Sequence, residues 1–252
     1  MRYFLQLSFK GTDYHGWQEQ SNSPDTVQEI CNNAIAKVLN HPLKLMGAGR
    51  TDTGVHAEMF FAHFDSPIET LSGEKRKWLH KFNSVTPFSV AFQDILSVKP
   101  AAHARFDAVS RTYRYDISTE KNPFLYNNTL FFPYPLDIDK MNRVCGMLKQ
   151  YKEFSSFRKT HSNNKTDYCI IKSAKWEMQG DKLSFTITAD RFLRNMVRAI
   201  VGTMLNVGNG KYSEADFCNI IESKNRSRAG ASVAACGLYL TNIEYPNEIF
   251  MP

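Results

Sequence analysis

The chain has 252 residues, a formal net charge of +6 and 42% hydrophobic residues. This size and composition predict a folded protein of one large or two small domains, and no apolar run approaches the length that spans a bilayer. The positive charge suits a polyanionic partner such as RNA or DNA. The five cysteines are far apart and form no CxxC motif, so we expect reduced thiols, no metal site and a cytoplasmic location.

The first half of the sequence predicts a β-α-β-β-α-β order of elements. Residues 2–9 alternate apolar and polar side chains, as a half-buried strand does and a signal peptide does not. A helix near 26–39 follows, in which Thr26 and Glu29 have capping-box spacing and the apolar residues form one stripe. The remaining predicted elements of this half are strands near 43–47 and 58–64, a helix near 72–82 and a strand near 90–98.

The second half repeats that order with one additional helix. Its predicted elements are a strand near 111–118, a helix near 137–150, strands near 168–178 and 182–189, helices near 191–207 and 213–223 and a strand near 237–244. Ser213 and Asp216 have capping-box spacing at the start of the additional helix. The repeat predicts an α+β fold of two ferredoxin-like or RRM-like halves, residues 1–107 and 108–252, with antiparallel sheets side by side around a central basic cleft.

Two polar segments, 10–25 and 157–167, lie between these elements. Their aromatic and basic side chains are Tyr14, His15, Trp17, Arg158, Lys159 and Lys165. Such a mixture of stacking groups and cations would suit a nucleic-acid surface. Simple solvated loops are the alternative.

Residues 47–57, GAGRTDTGVHA, place one carboxylate, Asp52, among three glycines. Asp-Thr-Gly also occurs in aspartic proteases, but Arg50 would oppose the shared proton of that mechanism, and the predicted fold is not all-β. A phosphate-binding loop is excluded because Asp52 occupies the third glycine position of G-x-G-x-x-G and no Lys-Ser or Lys-Thr follows. Asp52 therefore either caps a turn or acts in a functional loop whose glycines let the backbone approach a ligand.

A cluster of basic residues lies in segment 190–202, DRFLRNMVRAIVG. On one helix that begins near residue 191, Arg191, Arg194 and Arg198 would share a face at positions i, i+3 and i+7. We expect this stripe to contact phosphates, with one arginine holding Asp52 ionised through a bidentate pair.

These segments together resemble the TruA-type tRNA pseudouridine synthases. GAGRTDTGVHA is similar to the catalytic-loop motif of that family, and supporting segments follow the family's order over nearly the whole chain. They are YHGWQEQ, TVQEI, RFDAVSRTYRYDI, EFSSF, FLRNMVRAIVG and GLYLTNIEYP. One segment departs from the family, because Ser232, Val233 and Ala234 stand where the family has Thr-Ala-Pro. We expect the loss of that proline to loosen or redirect the turn beside the pocket.

The resemblance implies an enzyme that converts uridine to pseudouridine in the tRNA anticodon stem-loop, typically at positions 38, 39 and 40. It implies a homodimer that needs no metal or cofactor. Asp52 matches the catalytic aspartate, a nucleophile or a base, and Arg198 matches the arginine paired with it. Tyr113 matches the tyrosine that stacks on the target base, and is a candidate proton acceptor, while Leu238 matches an apolar residue of the pocket.

Further basic residues are predicted to bind the substrate. Arg50 and His56 are expected to shape the Asp52 loop and bind a phosphate of the flipped nucleotide, and Arg158, Arg191 and Arg194 to contact the RNA elsewhere. A non-catalytic, basic RNA-binding module on the same scaffold is the alternative function. Asp52 discriminates between the two, because a binding module gains nothing from a carboxylate that faces phosphates.

Overall fold

The computed structural model describes residues 1–21, 23, 25–160, 162, 166–180 and 182–251. They form an α+β structure, as predicted. Two compact units are present, one containing Met1–Val109 with Leu240–Pro252 and the other containing Ser110–Tyr239. The sequence predicted a division between residues 107 and 108, with the C-terminal segment in the second domain. None of the described helices is long and apolar enough to cross a bilayer.

The first unit has the predicted order of elements. In chain order they are β1 (Arg2–Phe9), α1 (Val27–Leu39), β2 (Met46–Gly47), β3 (His56–Asp65), α2 (Lys75–Asn83) and β4 (Val90–Val98). Strand β1 pairs antiparallel with β3 on one side and β4 on the other, and the short strand β2 pairs with β3. Thr26 caps α1, since its Oγ1 accepts a hydrogen bond from the backbone N–H of Glu29.

Aromatic side chains fill the core of the first unit. Tyr3, Phe4 and Leu5 on β1 are fully buried, so both faces of this strand are covered. Trp17, from the polar segment after β1, is also buried, and its ring centroid lies 4.2 Å from that of Phe60 on β3. Full burial of one large apolar side chain stabilises a fold by about 1.5–3 kcal/mol. The segment after β1 is therefore anchored in the core and is not a loose loop.

The predicted role of Tyr14 and Trp17 in stacking on a nucleic acid is wrong. Tyr14 is 5% exposed and Trp17 is 1% exposed. The Tyr14 hydroxyl forms a hydrogen bond with Oγ of Ser89, so its polar end also has a partner inside the unit. His15 is exposed.

His63 on β3 is a packed strand residue, as its aromatic surroundings in the sequence suggest. It is 5% exposed, and its Nδ1 accepts a hydrogen bond of 3.2 Å from the backbone N–H of Ala104. Burial, together with the positive charges of His103 and Arg2, lowers the pKa of His63 from 6.5 to about 4. The imidazole is therefore neutral in the folded protein at neutral pH.

The free energy of unfolding is expected to fall as the pH drops from about 6.5 to about 4, because His63 binds a proton in this range only when the chain is unfolded. The contribution approaches about 1.4 kcal/mol per pH unit at most. In a His63→Asn variant, Oδ1 can accept the same bond and nothing titrates. Denaturant unfolding of both proteins at about pH 7 and about pH 4.5 checks this. Parallel losses of stability in both would contradict the assignment.

The second unit also follows the predicted order, with one short strand that the sequence did not predict. Its elements are β5 (Ser110–Ser118), β6 (Leu130–Phe131), α3 (Ile138–Leu148), β7 (Ile171–Gln179), β8 (Lys182–Ala189), α4 (Met196–Gly208), α5 (Glu214–Glu222) and the first residues of β9 (Leu238–Glu244). Strand β8 pairs antiparallel with β5 and β7, and β6 pairs parallel with β5. The capping box predicted at Ser213 and Asp216 is confirmed at the start of α5.

Helix α4 begins at Met196 and not near residue 191, which separates the three arginines. Asn195 precedes the helix in a left-handed conformation, with φ 66°, and this conformation cannot continue an α-helix. Arg198 lies on α4, whereas Arg191 and Arg194 lie in the irregular segment before it. The predicted stripe of three arginines on one helical face is therefore wrong.

Candidate functional site

The loop that carries Asp52 is held by the segment that follows β1. The hydrogen bonds between them run from Gly11 N–H to His56 Nδ1 (3.0 Å), from Gly54 N–H to Tyr14 O (3.3 Å) and from Trp17 N–H to Thr51 O (3.4 Å). Because Trp17 is itself packed in the core, these bonds fix the loop against the rigid part of the first unit.

Two glycines allow this close approach of the two segments. A Cβ atom at Gly11 would lie 2.0 Å from the carbonyl oxygen of Val55, and one at Gly16 would lie 2.3 Å from that of Thr51. Both neighbours are backbone atoms, which cannot rotate away as a flexible side chain can. Gly16 also has φ +85°, a conformation that other residues rarely adopt. The glycines of the segment after β1 are therefore as important to the loop as those around Asp52.

Asp52 itself opens a tight turn. Its carbonyl oxygen accepts a hydrogen bond of 3.1 Å from Val55 N–H, and Gly54, with φ +79°, supplies the positive φ that such a turn requires. The side chain of Asp52 is half-buried, and Arg50 is exposed. His56 is 2% exposed, and its Nδ1 accepts the hydrogen bond from Gly11 N–H. Because this ring is buried and bonded to the protein's own backbone, it has a structural role in the loop and not the predicted contact with a phosphate.

In the second unit, Tyr113 lies on β5 with a well-defined ring position. The edge-to-face partner of Tyr113 is Phe192, with ring centroids 5.1 Å apart and ring planes at 89°. Tyr113 is half-buried. Phe192 was not predicted as a site residue, although its place in FLRNMVRAIVG was the available signal.

Arg198 is oriented by the loop that precedes β9. Its Nε donates a hydrogen bond of 2.7 Å to the carbonyl of Val233, and Val233 N–H donates to the carbonyl of Arg198 (3.3 Å). Because the guanidinium group is planar, the bond at Nε also sets the direction of the terminal nitrogens. Tyr115 holds the next residue of the loop, with its hydroxyl 2.7 Å from the carbonyl of Ala234. Burial raises the pKa of Tyr115, so this phenol remains a donor.

Ser232 lies in the loop before β9, where the family's proline is absent, and it holds this loop through two hydrogen bonds. Its Oγ accepts hydrogen bonds from Nδ2 of Asn195 (2.6 Å) and from a terminal nitrogen of Arg226 (2.9 Å). Asn195, whose left-handed backbone conformation precedes α4, is thus held at its side chain by this loop. Gly202 of α4 lets the loop pack closely, since a Cβ there would lie 1.9 Å from the carbonyl oxygen of Ala231. Hydrogen bonds and close packing thus hold this turn without the proline.

The remaining predicted residues lie in several environments. Arg158 forms an ion pair of 3.0 Å with Asp167, and Arg191 donates a long hydrogen bond of 3.4 Å to the carbonyl of Thr166. Arg194 is exposed, and Leu238, the first residue of β9, is buried. Lys165 lies outside the described residues. The described residues include no group of three or more His, Cys, Asp and Glu side chains that could hold a metal ion.

Comparisons with known proteins agree with these motifs. A family model described as tRNA pseudouridine synthase matches residues 151–246. The chain is 46% identical over 251 residues to tRNA pseudouridine synthase A of Parabacteroides distasonis, covering 99% of this chain and 98% of that protein. It is 48% identical over 250 residues to the protein of the same name from Bacteroides fragilis, with coverage of 99% and 98%, and 45% identical over 252 residues to that of Porphyromonas gingivalis, with 99% of both chains covered. The chain therefore belongs to the tRNA pseudouridine synthase A family.

Proposed function

We propose that this chain converts uridine to pseudouridine in tRNA. The observation that carries the proposal is its similarity, over nearly the full length, to proteins named tRNA pseudouridine synthase A. The reaction breaks the bond from ribose C1′ to uracil N1, turns the base, joins C1′ to C5 and releases the C5 proton. It is redox-neutral and consumes no water. A non-catalytic RNA-binding module is not favoured, because it would give no role to the carboxylate in the rigidly held loop.

Asp52 is the residue that we assign to the central step. The reaction needs a carboxylate near C1′, either as a nucleophile or as the base that removes a ribose proton in a glycal route. The support is the position of Asp52 in the GAGRTDTGVHA motif and the anchoring of its loop through Trp17 and His56. A carboxylate that is already held in place loses little further conformational entropy when the reaction occurs. Arg198 is proposed as its partner, since the Val233 bond fixes the direction of the guanidinium.

Tyr113 is proposed to stack on the target uracil. Taking a base out of the RNA stack costs a few kcal/mol, and aromatic stacking recovers about 1–3 kcal/mol per base. The support is the position of Tyr113 in RTYRY, its half-buried state and its edge contact with Phe192. Its phenol is a candidate acceptor for the C5 proton. Leu238 is proposed as an apolar wall of the pocket, and Arg50, Arg158, Arg191 and Arg194 are proposed to contact phosphates.

The modified positions, the oligomeric state and the cellular location are proposed from the resemblance to the family. The substrate uridines would be those at positions 38 to 40 of the anticodon stem-loop, and the active species would be a homodimer in the cytoplasm. We also propose that each half is ferredoxin-like. The arrangement of β4, β1, β3 and β2 in the first unit supports this for the N-terminal half.

The first experiment uses tRNA transcripts labelled with tritium at uridine C5, incubated with the purified chain and no cofactor. Formation of the bond between C1′ and C5 must expel tritium into water. Release in proportion to new pseudouridine, identified by nucleoside chromatography, is the expected result. Tight binding of transcripts that carry uridines at the proposed positions, with no tritium release, would reject the enzyme and favour the binding module.

Ser232 is expected to support turnover through Arg198. A Ser232→Ala variant leaves Asn195 and Arg226 without their acceptor and frees the loop that orients Arg198. We expect kcat to fall about tenfold, which corresponds to about 1.4 kcal/mol, with KM unchanged. Ser232→Thr keeps a hydroxyl and should restore most of the rate. Wild-type kcat in Ser232→Ala would show that the loop does not need these bonds.

A further inference from the structure

Most of the solvent-exposed surface of helix α2 is basic. The basic face of α2, as we name it, consists of Lys75, Arg76, Lys77, His80 and Lys81, all of which are exposed. A shallow depression of about 690 Å³ lies on this face and is lined by Gly73, Glu74, Lys75, Arg76, Lys77 and His80. Arginine and lysine around an open depression are suited to bind a polyanion that lies along the surface.

Acidic neighbours neutralise only part of this charge. Lys75 pairs with Asp94 and Lys77 pairs with Glu74, each at 2.9 Å. Arg76 and Lys81 form no ion pair with any residue that the structure describes. The basic face therefore retains more positive than negative charge.

The stability of the helix accounts for only part of this charge. The first turn of α2 is basic, which is unfavourable next to the positive end of the helix dipole, and the single acidic residue at the N-cap, Glu74, offsets this only in part. Lys77 and Lys81 are like charges at positions i and i+4, which repel each other. The Trp78 ring offsets part of this repulsion, with the two ammonium groups 5.5 Å and 4.9 Å from its centroid. An external anion would be the natural counter-charge.

The basic face of α2 lies apart from the Asp52 loop within the first unit. Helix α2 is tied to β4, where the Asn83 side chain bonds both the N–H and the C=O of Phe92 (2.8 Å and 2.9 Å). Strand β1 lies between β4 and β3, and the Asp52 loop directly precedes β3. The basic face of α2 is therefore not part of the Asp52 loop.

We propose that the basic face of α2 binds backbone phosphates of the tRNA substrate at a place separate from the reacting uridine. The identity of the polyanion rests on the proposed function. Contacts to phosphates position an RNA without reading its bases, and they make binding dependent on salt because counterions are released. The face therefore contributes to the affinity for tRNA and not to the chemical step.

The test compares two triple variants that change the net charge equally. One is Arg76→Gln, Lys77→Gln and Lys81→Gln on α2, and the control is Lys37→Gln, Lys44→Gln and Lys99→Gln, which replaces exposed lysines elsewhere. We expect the α2 variant to bind tRNA at least about tenfold more weakly and the slope of log K against log salt to fall by about 2 to 3, since each phosphate contact contributes about 0.9. Its kcat should equal that of the wild type, and the control should retain most of the affinity.

The folding of the α2 variant is checked by its melting temperature. Glutamine removes the repulsion between Lys77 and Lys81, but also the exposed ion pair of Lys77 with Glu74 and the contacts of both lysines with the Trp78 ring. Because these effects are small and opposed, the melting temperature should stay close to that of the wild type. Equal losses of tRNA affinity in the two triple variants would overturn the proposal. It would also be overturned if the α2 variant bound tRNA as the wild type does but no longer bound phosphatidylglycerol vesicles. The binding assay does not depend on turnover. If the wild-type chain releases no tritium while the α2 variant still binds tRNA more weakly than the control, the proposed function is rejected and the proposal for α2 stands.

Discussion

Replacing Asp52 with Asn is expected to abolish tritium release from tRNA while leaving the affinity for tRNA nearly unchanged. Asn has the same shape, and the turn at Asp52 depends on its backbone carbonyl, so the loop should keep its conformation. The amide can neither attack C1′ nor remove a ribose proton. Removal of a central catalytic group lowers kcat by on the order of 10⁴-fold or more.

The matched control for this variant is Asp139→Asn, which removes an exposed carboxylate at the start of α3. It should have wild-type kcat and affinity. Rates come from tritium release and affinities from filter binding with the same transcripts. Turnover by Asp52→Asn within about tenfold of the wild type would mean that another carboxylate performs the step, even if the chain is a pseudouridine synthase.

A Gly16→Ala variant should show the second largest effect, although Gly16 carries no chemical group. Its Cβ would lie 2.3 Å from the carbonyl oxygen of Thr51, and the positive φ adds strain of about 1–2 kcal/mol. The two segments must separate, which moves the adjacent Asp52. Because a displacement of about 1 Å can cost about 10²-fold in rate, we expect kcat to fall by about that factor and the free energy of unfolding to fall as well.

Gly210→Ala is the control that separates backbone strain from the steric clash. Gly210 has nearly the same φ, +82°, but a Cβ there would have no neighbour within 4 Å. It should lose stability through strain alone and keep the wild-type kcat. Both rates are measured well below the melting temperatures, so that only folded protein is compared. Wild-type kcat in Gly16→Ala would show that the segment after β1 does not position Asp52.

Several features could be predicted from the sequence because they depend on neighbouring residues. The alternation in residues 2–9 identified β1, and the spacing of Ser213 and Asp216 identified the start of α5. The glycines beside Asp52 indicated an irregular loop, and Gly54 does supply the positive φ of its turn. Each of these signals lies within a few residues of the structure that it determines.

Other features were decided by residues that are far apart in the chain. Trp17 lies in a polar segment and suggests a surface aromatic, but it packs on Phe60, a partner that only the folded sheet brings to it. The start of α4 could not be predicted from its apolar pattern, because it is set by the left-handed backbone of Asn195, whose side chain also bonds Ser232 from another loop.

The sequence by itself therefore predicted the family, the motif that contains Asp52 and the order of the elements except the short strand β6. The tertiary structure alone decided which side chains are buried, where α4 begins and what holds the loops of Asp52 and Arg198 in place. The physical reason is that periodicity and capping act over one or two turns of chain, whereas burial and long-range hydrogen bonds depend on contacts that form only when the chain has folded.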